Sequence, residues 1–254
     1  MKTVISWNVN GIRSAERKGF LPWLASCGAD IVCVQETKIQ PGQLTRELSS
    51  PKGYTSYWYS AVKKGYSSVG AYCREEPLSV SPLGIERFDG EGRVQVLEFK
   101  GFSLINAYFP NSREAGARLD YKLDFCDSLL AFAKKLVKKG KNILISGDYN
   151  IAHTAIDLAR PKENEGNAGY LPEERAWMDR FLSSGYVDTF RMFTPDPGHY
   201  SWWSYRGGAR GRNVGWRIDY HCVNEAFRSR VAAAEILKNV EGSDHCPVLV
   251  RLDV

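Results

Sequence analysis

The most constraining feature of this sequence is a set of short strand-like segments that are apolar on both faces. Residues 31–34 read IVCV and residues 143–145 read ILI, so neither segment alternates polar with apolar side chains. A strand of this kind has to be covered on both sides, because a face left in water would expose a row of aliphatic groups. An open, one-sided sheet cannot provide that cover, whereas sheets layered with helices can. We therefore predict an α/β sandwich.

Strand-like and helical segments alternate along the chain without a linker, a low-complexity stretch or a short repeat. Strand candidates lie at residues 3–7, 31–35, 54–60, 69–73, 94–99, 102–108, 143–146, 218–223 and 248–252. Helix candidates lie at residues 19–27, 118–139 and 172–183. The second has apolar residues at helical spacing followed by Gly140, and the third begins with Pro172, which suits the first helical position. We expect residues 1–254 to form one domain.

With 43% hydrophobic and 25% charged residues, the chain has the composition of a folded protein. Its net charge of +5 fits a polyanionic partner, although many proteins without such a partner are equally basic. The six cysteines include no C-x-x-C pair, and the four histidines are not spaced like zinc ligands. No signal-peptide core opens the sequence, and no apolar run approaches the roughly 18 residues of a membrane span. We expect a protein of the reducing cytoplasm with no membrane partner.

Polar side chains follow the apolar segments at the points where the predicted strands end. These positions hold Asn8 and Asn10, then Glu36, then Asp148 and Asn150, then Asp219, and finally Asp244 with His245. Any one of them alone is typical of an ordinary turn, because Asp and Asn are common turn residues. Ligands of open α/β sheets bind at the carboxyl ends of strands, so five such ends in one chain favour a shared site.

The chemistry of these residues suits the hydrolysis of a phosphodiester. A hard cation such as Mg²⁺ binds one or two carboxylates, several waters and phosphate oxygens, and Asn8, Glu36 and Asp244 offer oxygens for that purpose. The reaction also needs an oriented water, which Asp148 and Asn150 can hold.

His245 can donate to the charge that develops on a phosphate, provided that a carboxylate holds its other ring nitrogen and raises its basicity. Asp219 and Asp244 are both candidates for that carboxylate. The residues alone do not choose between them.

A loop at residues 201–217 interleaves aromatic residues, arginines and glycines. One interpretation is a set of core aromatics beside a flexible surface loop. The other is that Arg206, Arg210 and Arg212 contact nucleic-acid phosphates, while the glycines let the backbone approach. We favour the second interpretation for the arginines.

At these residues the sequence resembles the exonuclease III family of apurinic/apyrimidinic endonucleases, within the wider DNase-I-like group of phosphodiesterases. The similarity runs from end to end and is carried by ISWNVNGIRS, DIVCVQETK, GYSSVGAY, EGRVQVLEF, NAYFPNS, SGDYNIAHTAIDL, PKENEGNAGYLPEER, WWSYRGGARGRNVGWRIDY and GSDHCPV. Short pieces such as SDHCP recur across the wider group. PKENEGNAGYLPEER and NVGWRIDY are particular to the DNA-repair branch.

The resemblance implies a role for each position. Around the metal it places Glu36 as the main ligand with Asn8, Asn10 and Asp244, and it adds the nearby oxygens of Asp148 and Asn150. For catalysis it assigns the attacking water to Asp148 and Asn150, the scissile phosphate to His245 paired with Asp219, and further contacts with that phosphate to Tyr108 and Asn111. For the substrate it assigns the flipped-out lesion to Asn164 and Asn167, and the lesion pocket to Trp202, Trp216 and Ile218. The implied cofactor is Mg²⁺, with Mn²⁺ as an alternative and the number of ions open.

The same resemblance implies a four-layer sandwich of two β-sheets flanked by helices, with metal and DNA at one edge. The implied reaction is hydrolysis of the phosphodiester 5′ to an abasic site in double-stranded DNA, which leaves a 3′-hydroxyl and a 5′-deoxyribose phosphate. Exonuclease activity from 3′ to 5′ and 3′-phosphatase activity are expected beside it, from a monomer. Three positions depart from the family pattern: Ser68 replaces a common Gly, Asn10 replaces an Asp of some members, and Tyr149 is variable and expected beneath the site.

Two other functions are open on the sequence alone. One is hydrolysis of a small or lipid phosphodiester on the same scaffold, and the arginine-rich loop counts against it. The other is damage-specific DNA binding without cleavage, and the complete set of site residues counts against that.

Overall fold

Two mixed sheets of six strands organise the chain, and the computed structural model describes all of residues 1–254. The strands are β1 (Lys2–Asn8), β2 (Ile31–Gln35), β3 (Thr55–Tyr59), β4 (Val69–Cys73), β5 (Ser79–Ser81), β6 (Val94–Glu98), β7 (Ser103–Tyr108), β8 (Ile143–Asp148), β9 (Tyr186–Asp188), β10 (Asp219–Asn224), β11 (Val231–Ile236) and β12 (Val248–Leu252). One sheet has the order β11-β12-β1-β2-β4-β3 and the other has the order β5-β6-β7-β8-β10-β9. Each sheet contains one parallel pair, β1 with β2 and β7 with β8, and its other pairs are antiparallel.

Helices cover the outer face of each sheet. They are α1 (Ile12–Arg17), α2 (Phe20–Ser26), α3 (Arg46–Ser49), α4 (Glu86–Asp89), α5 (Leu119–Lys138) and α6 (Pro172–Ser183). Phe20 and Leu24 of α2 pack against Val32 of the first sheet, whereas Phe125 of α5 and Phe181 of α6 belong to the cluster on the second sheet. None of the helices combines the length and the hydrophobicity that a membrane crossing requires.

The interior between the two sheets is a separate buried cluster, built from alternate residues of the same strands. Val4 and Leu144 face this interior, whereas their neighbours Ile5 and Ile145 face the helices. The strands that are apolar on both faces are therefore covered on both, and the layers follow the order helix, sheet, sheet, helix. The predicted four-layer α/β sandwich is confirmed.

All nine predicted strands and all three predicted helices are present, with ends that differ by at most two residues. The sequence pattern does not predict β5, β9 and β11, which are edge strands that pair on one side only. β5 and β9 have three residues each, and β11 reads VAAAEI, in which alanine carries little strand preference. The short helices α1, α3 and α4 have six, four and four residues, too few for a helical period to be read from the sequence.

Candidate active site

Parallel pairing brings four of the predicted site segments to one edge of the sandwich. β1 and β2 run parallel with Asn8 opposite Gln35, so Glu36 follows at the same edge. β7 and β8 run parallel with Tyr108 opposite Asp148. Asn8 of the first sheet donates a hydrogen bond of 2.8 Å to Asp148 of the second, so the carboxyl ends of these strands meet.

Asp219, Asp244 and His245 reach this edge in a different way from the one predicted. Asp219 is the first residue of β10, and Asp244 and His245 lie in the loop that precedes β12. Because β10 is antiparallel to β8, Asp219 lies directly opposite Asp148. The prediction that Asp219 ends a strand is wrong, since an antiparallel strand begins at the edge where its neighbour ends.

Asp148 is the centre of the hydrogen-bond network at this edge and is 1% exposed. Its carboxylate accepts hydrogen bonds from Asn8 Nδ2 at 2.8 Å, from the backbone N–H of Asn150 at 2.8 Å and from Asn150 Nδ2 at 3.2 Å. Asn150 Nδ2 also donates to the carbonyl of Phe109, and Asn150 Oδ1 accepts from Asn111 Nδ2 at 3.1 Å. Neutral amides therefore set the orientation of this carboxylate.

The carboxylate partner of His245 is Asp219, not Asp244. His245 Nδ1 lies 2.9 Å from Asp219 Oδ2, and Ser201 Oγ donates to the same oxygen at 2.7 Å. The other ring nitrogen, Nε2, lies 3.9 Å from Asp148 Oδ2. Burial lowers the pKa of His245, but the charges of Asp219, Asp148 and Asp244 outweigh burial and raise the pKa from 6.5 to about 10. At neutral pH the imidazole is therefore a cation.

Burial and the negative charge of Asp219 raise the pKa of Asp148 from 3.8 to about 7, against the opposing effects of His245 and of the hydrogen bonds from Asn8 and Asn150. A carboxylate with a pKa near neutrality is suited to accept a proton from water. Asp148, Asp219 and His245 offer ligand atoms within 4.8 Å of one another, as a metal site would. The contact with Asp219 engages His245 Nδ1, which leaves Nε2 as the ring nitrogen that faces Asp148.

Glu36 and Asp244 are the other two carboxylates that line the cavity at this edge. Lys38 Nζ lies 3.0 Å from Glu36 Oε1, and Asn8 Nδ2 donates to Glu36 Oε2 at 3.1 Å. Asn10 Nδ2 donates to Asp244 Oδ1 at 3.0 Å, and Asn10 Oδ1 accepts from Lys38 Nζ at 2.6 Å. The ligand atoms on this side are carboxylate and amide oxygens without a thiolate, which fits a hard divalent cation.

Asn8 and Asn10 contact the acidic groups as hydrogen-bond partners. Asn8 Oδ1 accepts the backbone N–H of Asn10 at 2.9 Å, so Asn8 turns its NH₂ group toward the carboxylates. Each amide oxygen accepts a single hydrogen bond, so each keeps a second lone pair that a cation could use. The side chain of Glu36 is 20% exposed and is held by Lys38 and Asn8.

Tyr108 and Asn111 line the same cavity. Burial raises the pKa of the Tyr108 phenol well above its usual value, and the charges of Glu36 and Asp148 raise it further. The phenol is therefore protonated and available as a donor. Arg93 lies behind it, with its guanidinium 5.1 Å from the ring centroid and a hydrogen bond of 3.0 Å to the Tyr108 carbonyl.

The cavity has a volume of about 320 Å³ and an aromatic wall. Trp202, Trp216 and Ile218 line it as predicted, and the two indole rings are nearly perpendicular at 6.2 Å. Trp202 Nε1 donates to Asp244 Oδ2 at 3.1 Å, which joins this wall to the acidic side. Gly169 also lines the cavity, at a φ of +88°, and a Cβ there would lie 3.1 Å from the Asn150 carbonyl oxygen. Glycine therefore allows this segment to approach.

Left-handed backbone conformations are concentrated at this edge. Asn10, Glu36, Lys38 and Asn150 have φ of 44°, 53°, 54° and 51°. Asn adopts this region readily, whereas Glu and Lys adopt it at a cost of order 1 kcal/mol. The backbone N–H of Lys38 donates to the Ser67 carbonyl at 2.9 Å, so a neighbouring loop holds this strained turn.

Two of the positions that depart from the family pattern lie close to this edge. Ser68 has a φ of 77°, a conformation that favours glycine, and its Oγ accepts the backbone N–H of Ala61 at 2.9 Å. Tyr149, which stands between Asp148 and Asn150 in the sequence, is fully buried. Its ring stacks on that of Phe109, with the ring centroids 4.2 Å apart.

The remaining predicted DNA-binding residues lie outside the cavity lining. Asn167 Nδ2 donates to Asn164 Oδ1 at 3.0 Å, and the two residues occupy one surface turn. Arg206 and Arg212 are exposed and form no ion pair. Arg210 differs, because its guanidinium donates to the carbonyls of residues 238, 240 and 243 and lies 4.8 Å from the Trp203 ring centroid.

Sequence reasoning misses three residues of the site. Lys38 has a detectable signal, because it stands two positions after Glu36 in the QETK segment. Ser201 and Gly169 have none, because their roles depend on which distant residues, Asp219 and Asn150, pack against them.

Comparison with known proteins extends over the whole chain. The model of the Endonuclease/Exonuclease/phosphatase family matches residues 5–245. A Bacillus subtilis (strain 168) protein named exodeoxyribonuclease is 47% identical over 254 residues, with 99% of each chain covered. A Dictyostelium discoideum DNA-(apurinic or apyrimidinic site) endonuclease is 40% identical, with 99% of this chain and 70% of that protein covered. The structure of an AP endonuclease from Archaeoglobus fulgidus has a TM-score of 0.89 and 28% identity, with 100% of both chains covered.

Proposed function

Because this chain belongs to the endonuclease/exonuclease/phosphatase family, we propose that it is a DNA-repair nuclease that hydrolyses the phosphodiester 5′ to abasic sites in double-stranded DNA. The products are a 3′-hydroxyl and a 5′-deoxyribose phosphate. Removal of nucleotides or phosphate from 3′ ends accompanies this activity, since the same chemistry acts on a different docked end. The names of similar proteins, an exodeoxyribonuclease and an apurinic/apyrimidinic endonuclease, support both parts of the proposal.

One observation carries the proposal. Asp148, the His245–Asp219 pair and Glu36 come from four separate segments and meet at a single cavity that also has an indole wall. Phosphodiester hydrolysis needs a base, a cationic donor and a cation site within a few ångströms of one another. A base-less sugar is small enough to enter the cavity beside this indole wall, whereas an intact nucleotide is larger.

In the proposed reaction, water attacks the phosphorus and Asp148 accepts its proton. Asn150 holds Asp148 through two hydrogen bonds, so the base keeps one orientation as the reaction proceeds. The bond between phosphorus and the 3′ oxygen breaks, and that oxygen takes up a proton from solvent water to become the 3′-hydroxyl, while Asp148 returns its proton to solvent.

Charge builds up on the non-bridging oxygens as water adds, and fixed donors stabilise this charge. The imidazolium of His245 is held by Asp219 and presents Nε2 toward Asp148, where the attacked phosphate would lie. Tyr108 and Asn111 supply neutral donors on the opposite side of Asp148 and Asn150.

Mg²⁺, or Mn²⁺ in its place, is the proposed cofactor, because the acidic side offers oxygen ligands only. Glu36 and Asp244 would hold it, with Asn8 and Asn10 around it and Asp148 and Asn150 nearby. The ion would neutralise the charge on the phosphate. Lys38 Nζ lies 3.0 Å from Glu36 Oε1, so the lysine and the ion would share this carboxylate.

Outside the cavity, we propose that Asn164, Asn167, Arg206 and Arg212 contact the DNA backbone on either side of the lesion. Asn164 and Asn167 precede Gly169 of the cavity lining in the sequence, Arg206 and Arg212 lie between Trp202 and Trp216, and both arginines are free of ion pairs. For Arg210 we propose that contact with DNA is secondary, because its N–H groups already hold the loop together.

We propose further that residues 1–254 act as one catalytic domain, as a monomer in the cytoplasm. The strands next to both ends of the chain, β1 and β12, pair with each other, and none of the six cysteines forms a disulfide. Light scattering at assay concentrations tests the oligomeric state, and a mass of twice 28.6 kDa would overturn it.

The decisive experiment is strand cleavage of a 5′-labelled duplex that carries one tetrahydrofuran abasic analogue, beside the matched intact duplex. We expect incision at the analogue with Mg²⁺, none with excess EDTA, and a loss of about 10²- to 10⁴-fold in Asp148→Asn. Asp179→Asn, an exposed carboxylate of α6, is the matched control and should cut normally. Full incision by Asp148→Asn or in EDTA, or preferential hydrolysis of phosphoinositides, would contradict the proposal.

A further inference from the structure

Behind the active site lies a buried ion pair that the proposed reaction does not use. Lys122 of α5 and Glu174 of α6 are both 0% exposed, and Lys122 Nζ lies 2.6 Å from Glu174 Oε1. Burial of two charges is costly, and apolar side chains in place of such a pair often leave stability unchanged or higher. Stability alone therefore does not account for the pair.

Each member of the pair makes a second contact that leads to the site. Lys122 Nζ donates to the backbone carbonyl of Asn150 at 2.6 Å. Glu174 Oε1 accepts a hydrogen bond of 2.7 Å from Ser112 Oγ, and Ser112 directly follows Asn111. Glu174 Oε2 accepts the backbone N–H of Leu171 at 3.0 Å, which fixes the carboxylate itself.

The Asn150 carbonyl is a sensitive point because Asn150 is left-handed, with a φ of 51°. Its backbone N–H and side-chain NH₂ both donate to Asp148, so a rotation of this residue would move the proposed base. The Lys122 ammonium is the only side-chain donor on the opposite, carbonyl end of the residue. Together the two ends leave the residue a single orientation.

We propose that the Lys122–Glu174 pair is a positioning device for the catalytic amides. Lys122 holds Asn150 in its left-handed conformation and thereby orients Asp148, while Glu174 holds the Ser112 turn that carries Asn111. The inference rests on the proposed function, because it assigns these residues an effect on the same hydrolysis. Neither residue touches the substrate.

The test replaces both charges at once, in Lys122→Met/Glu174→Leu, so that neither charge is left buried alone. We expect this double variant to keep a melting temperature close to that of the wild type and to lose about 10- to 100-fold in kcat, with KM within about threefold. Lys122→Arg retains a cation at this position and should recover part of kcat. If the double variant keeps both the melting temperature and the kcat of the wild type, the pair does not position the catalytic amides and the proposal fails.

The matched control is Arg180→Met, because Arg180 and Asp127 form an ion pair between the same two helices without contact with Asn150. It should leave kcat unchanged. If the double variant unfolds, Ser112→Ala replaces it, because this change removes the hydroxyl that joins Glu174 to the segment of Asn111 and leaves the buried ion pair intact. We expect a melting temperature close to that of the wild type and a loss of about threefold or more in kcat, and an unchanged kcat would contradict the positioning role of Glu174.

A second readout does not depend on activity and separates this inference from the proposed function. The side-chain NH₂ of Asn150 donates to Phe109 and Asp148, so its protons should exchange slowly with water in the wild type. Side-chain amide spectra of ¹⁵N-asparagine protein, assigned with Asn150→Ser, should show faster exchange in Lys122→Met/Glu174→Leu. Unchanged exchange would overturn the positioning role even if the wild type cuts DNA. If exchange is faster in the double variant but the wild-type protein does not cut the abasic duplex, only the proposed function is overturned.

Discussion

His245 at the catalytic edge and His221 in the interior between the sheets are nearly equally buried, at 4% and 3% exposure, yet their surroundings push their pKa values in opposite directions. Carboxylates surround His245 and raise its pKa to about 10. His221 lies among neutral groups: its Nδ1 is 2.8 Å from Ser146 Oγ and its Nε2 is 3.0 Å from the Val248 carbonyl. Burial therefore lowers its pKa from 6.5 to about 4.

The difference shows that burial disfavours the charged form of a histidine, and that nearby carboxylates decide whether the charged form is nevertheless the stable one. His221 joins the two sheets as a neutral hydrogen-bonding group, because Ser146 belongs to one sheet and Val248 to the other. Gln35 does the same by donating to Ser6 Oγ at 2.9 Å and to Asn106 Oδ1 at 2.8 Å. The interior beneath the site is thus polar but uncharged, and charge begins only at the edge.

The largest test of this comparison removes the charge of Asp219 and keeps its shape. We expect Asp219→Asn to lower kcat by about 10²- to 10³-fold, because His245 loses the partner that keeps it cationic and oriented. Single-turnover incision of the abasic duplex measures the loss. The alkaline limb of the pH profile should also move down from about pH 10, since Asp219 is the strongest of the charges that raise the His245 pKa. An unchanged alkaline limb would show that another group holds the proton.

His221 should make the fold sensitive to acid. Its folded pKa of about 4 lies below its ordinary 6.5, so the unfolded chain binds a proton first as the pH falls. Stability should therefore be lost between pH 6.5 and about 4, by about 3.5 kcal/mol in total at about 1.4 kcal/mol per pH unit.

Urea denaturation at a series of pH values measures this slope. His221→Gln can keep a donor and an acceptor but does not titrate. The slope of its unfolding free energy against pH should therefore be smaller over this range, by about 1.4 kcal/mol per pH unit for the one proton that is no longer bound. Equal slopes in the two proteins would show that other groups cause the acid sensitivity.

The acid limb of the activity profile should report Asp148. Its pKa is raised to about 7 by burial and by Asp219, so below that pH the base is protonated and kcat/KM should fall about tenfold per pH unit. Removal of the charge in Asp219→Asn should shift this limb to lower pH. A limb at the ordinary carboxyl pKa in the wild type would mean that Asp148 is not the base.

The smallest effect concerns the arginines of the surface loop. Arg212 forms no ion pair, whereas the guanidinium of Arg210 donates to backbone carbonyls. Arg212→Gln should reduce the slope of log Kd against log salt by about 0.9, one phosphate contact, without a change in melting temperature. Arg210→Gln should instead lower the melting temperature, because three backbone carbonyls lose their donor. Fluorescence anisotropy with an abasic duplex in EDTA measures the first, and a thermal scan measures the second. If Arg210→Gln instead changes the salt dependence and Arg212→Gln lowers the melting temperature, then Arg210 contacts DNA and Arg212 stabilises the loop.

The sequence pattern predicted the layers of the fold but missed three of the four edge strands. Strands such as β2 and β8 are apolar on both faces, and that requirement for cover dictates helices outside and a second sheet inside. β5 and β9 form strands only because a neighbouring strand pairs with them. Each has three residues, too few to show a strand pattern in the sequence. Asn8, Glu36 and Asp148 could be predicted to lie together because they end or follow strands of the parallel pairs, whereas Asp219 reaches the same edge as the first residue of an antiparallel strand.

The sequence by itself determined which groups this protein can use, since oxygen ligands, an imidazole and an indole wall are fixed by residue type. Only the tertiary structure decided what each group does. It paired His245 with Asp219 in preference to Asp244, made His221 a neutral link between sheets, and buried Glu174 as the partner of Lys122. The physical reason is that a pKa or a hydrogen bond depends on distances of about 3 Å between residues far apart in the chain, and a one-dimensional pattern does not contain those distances.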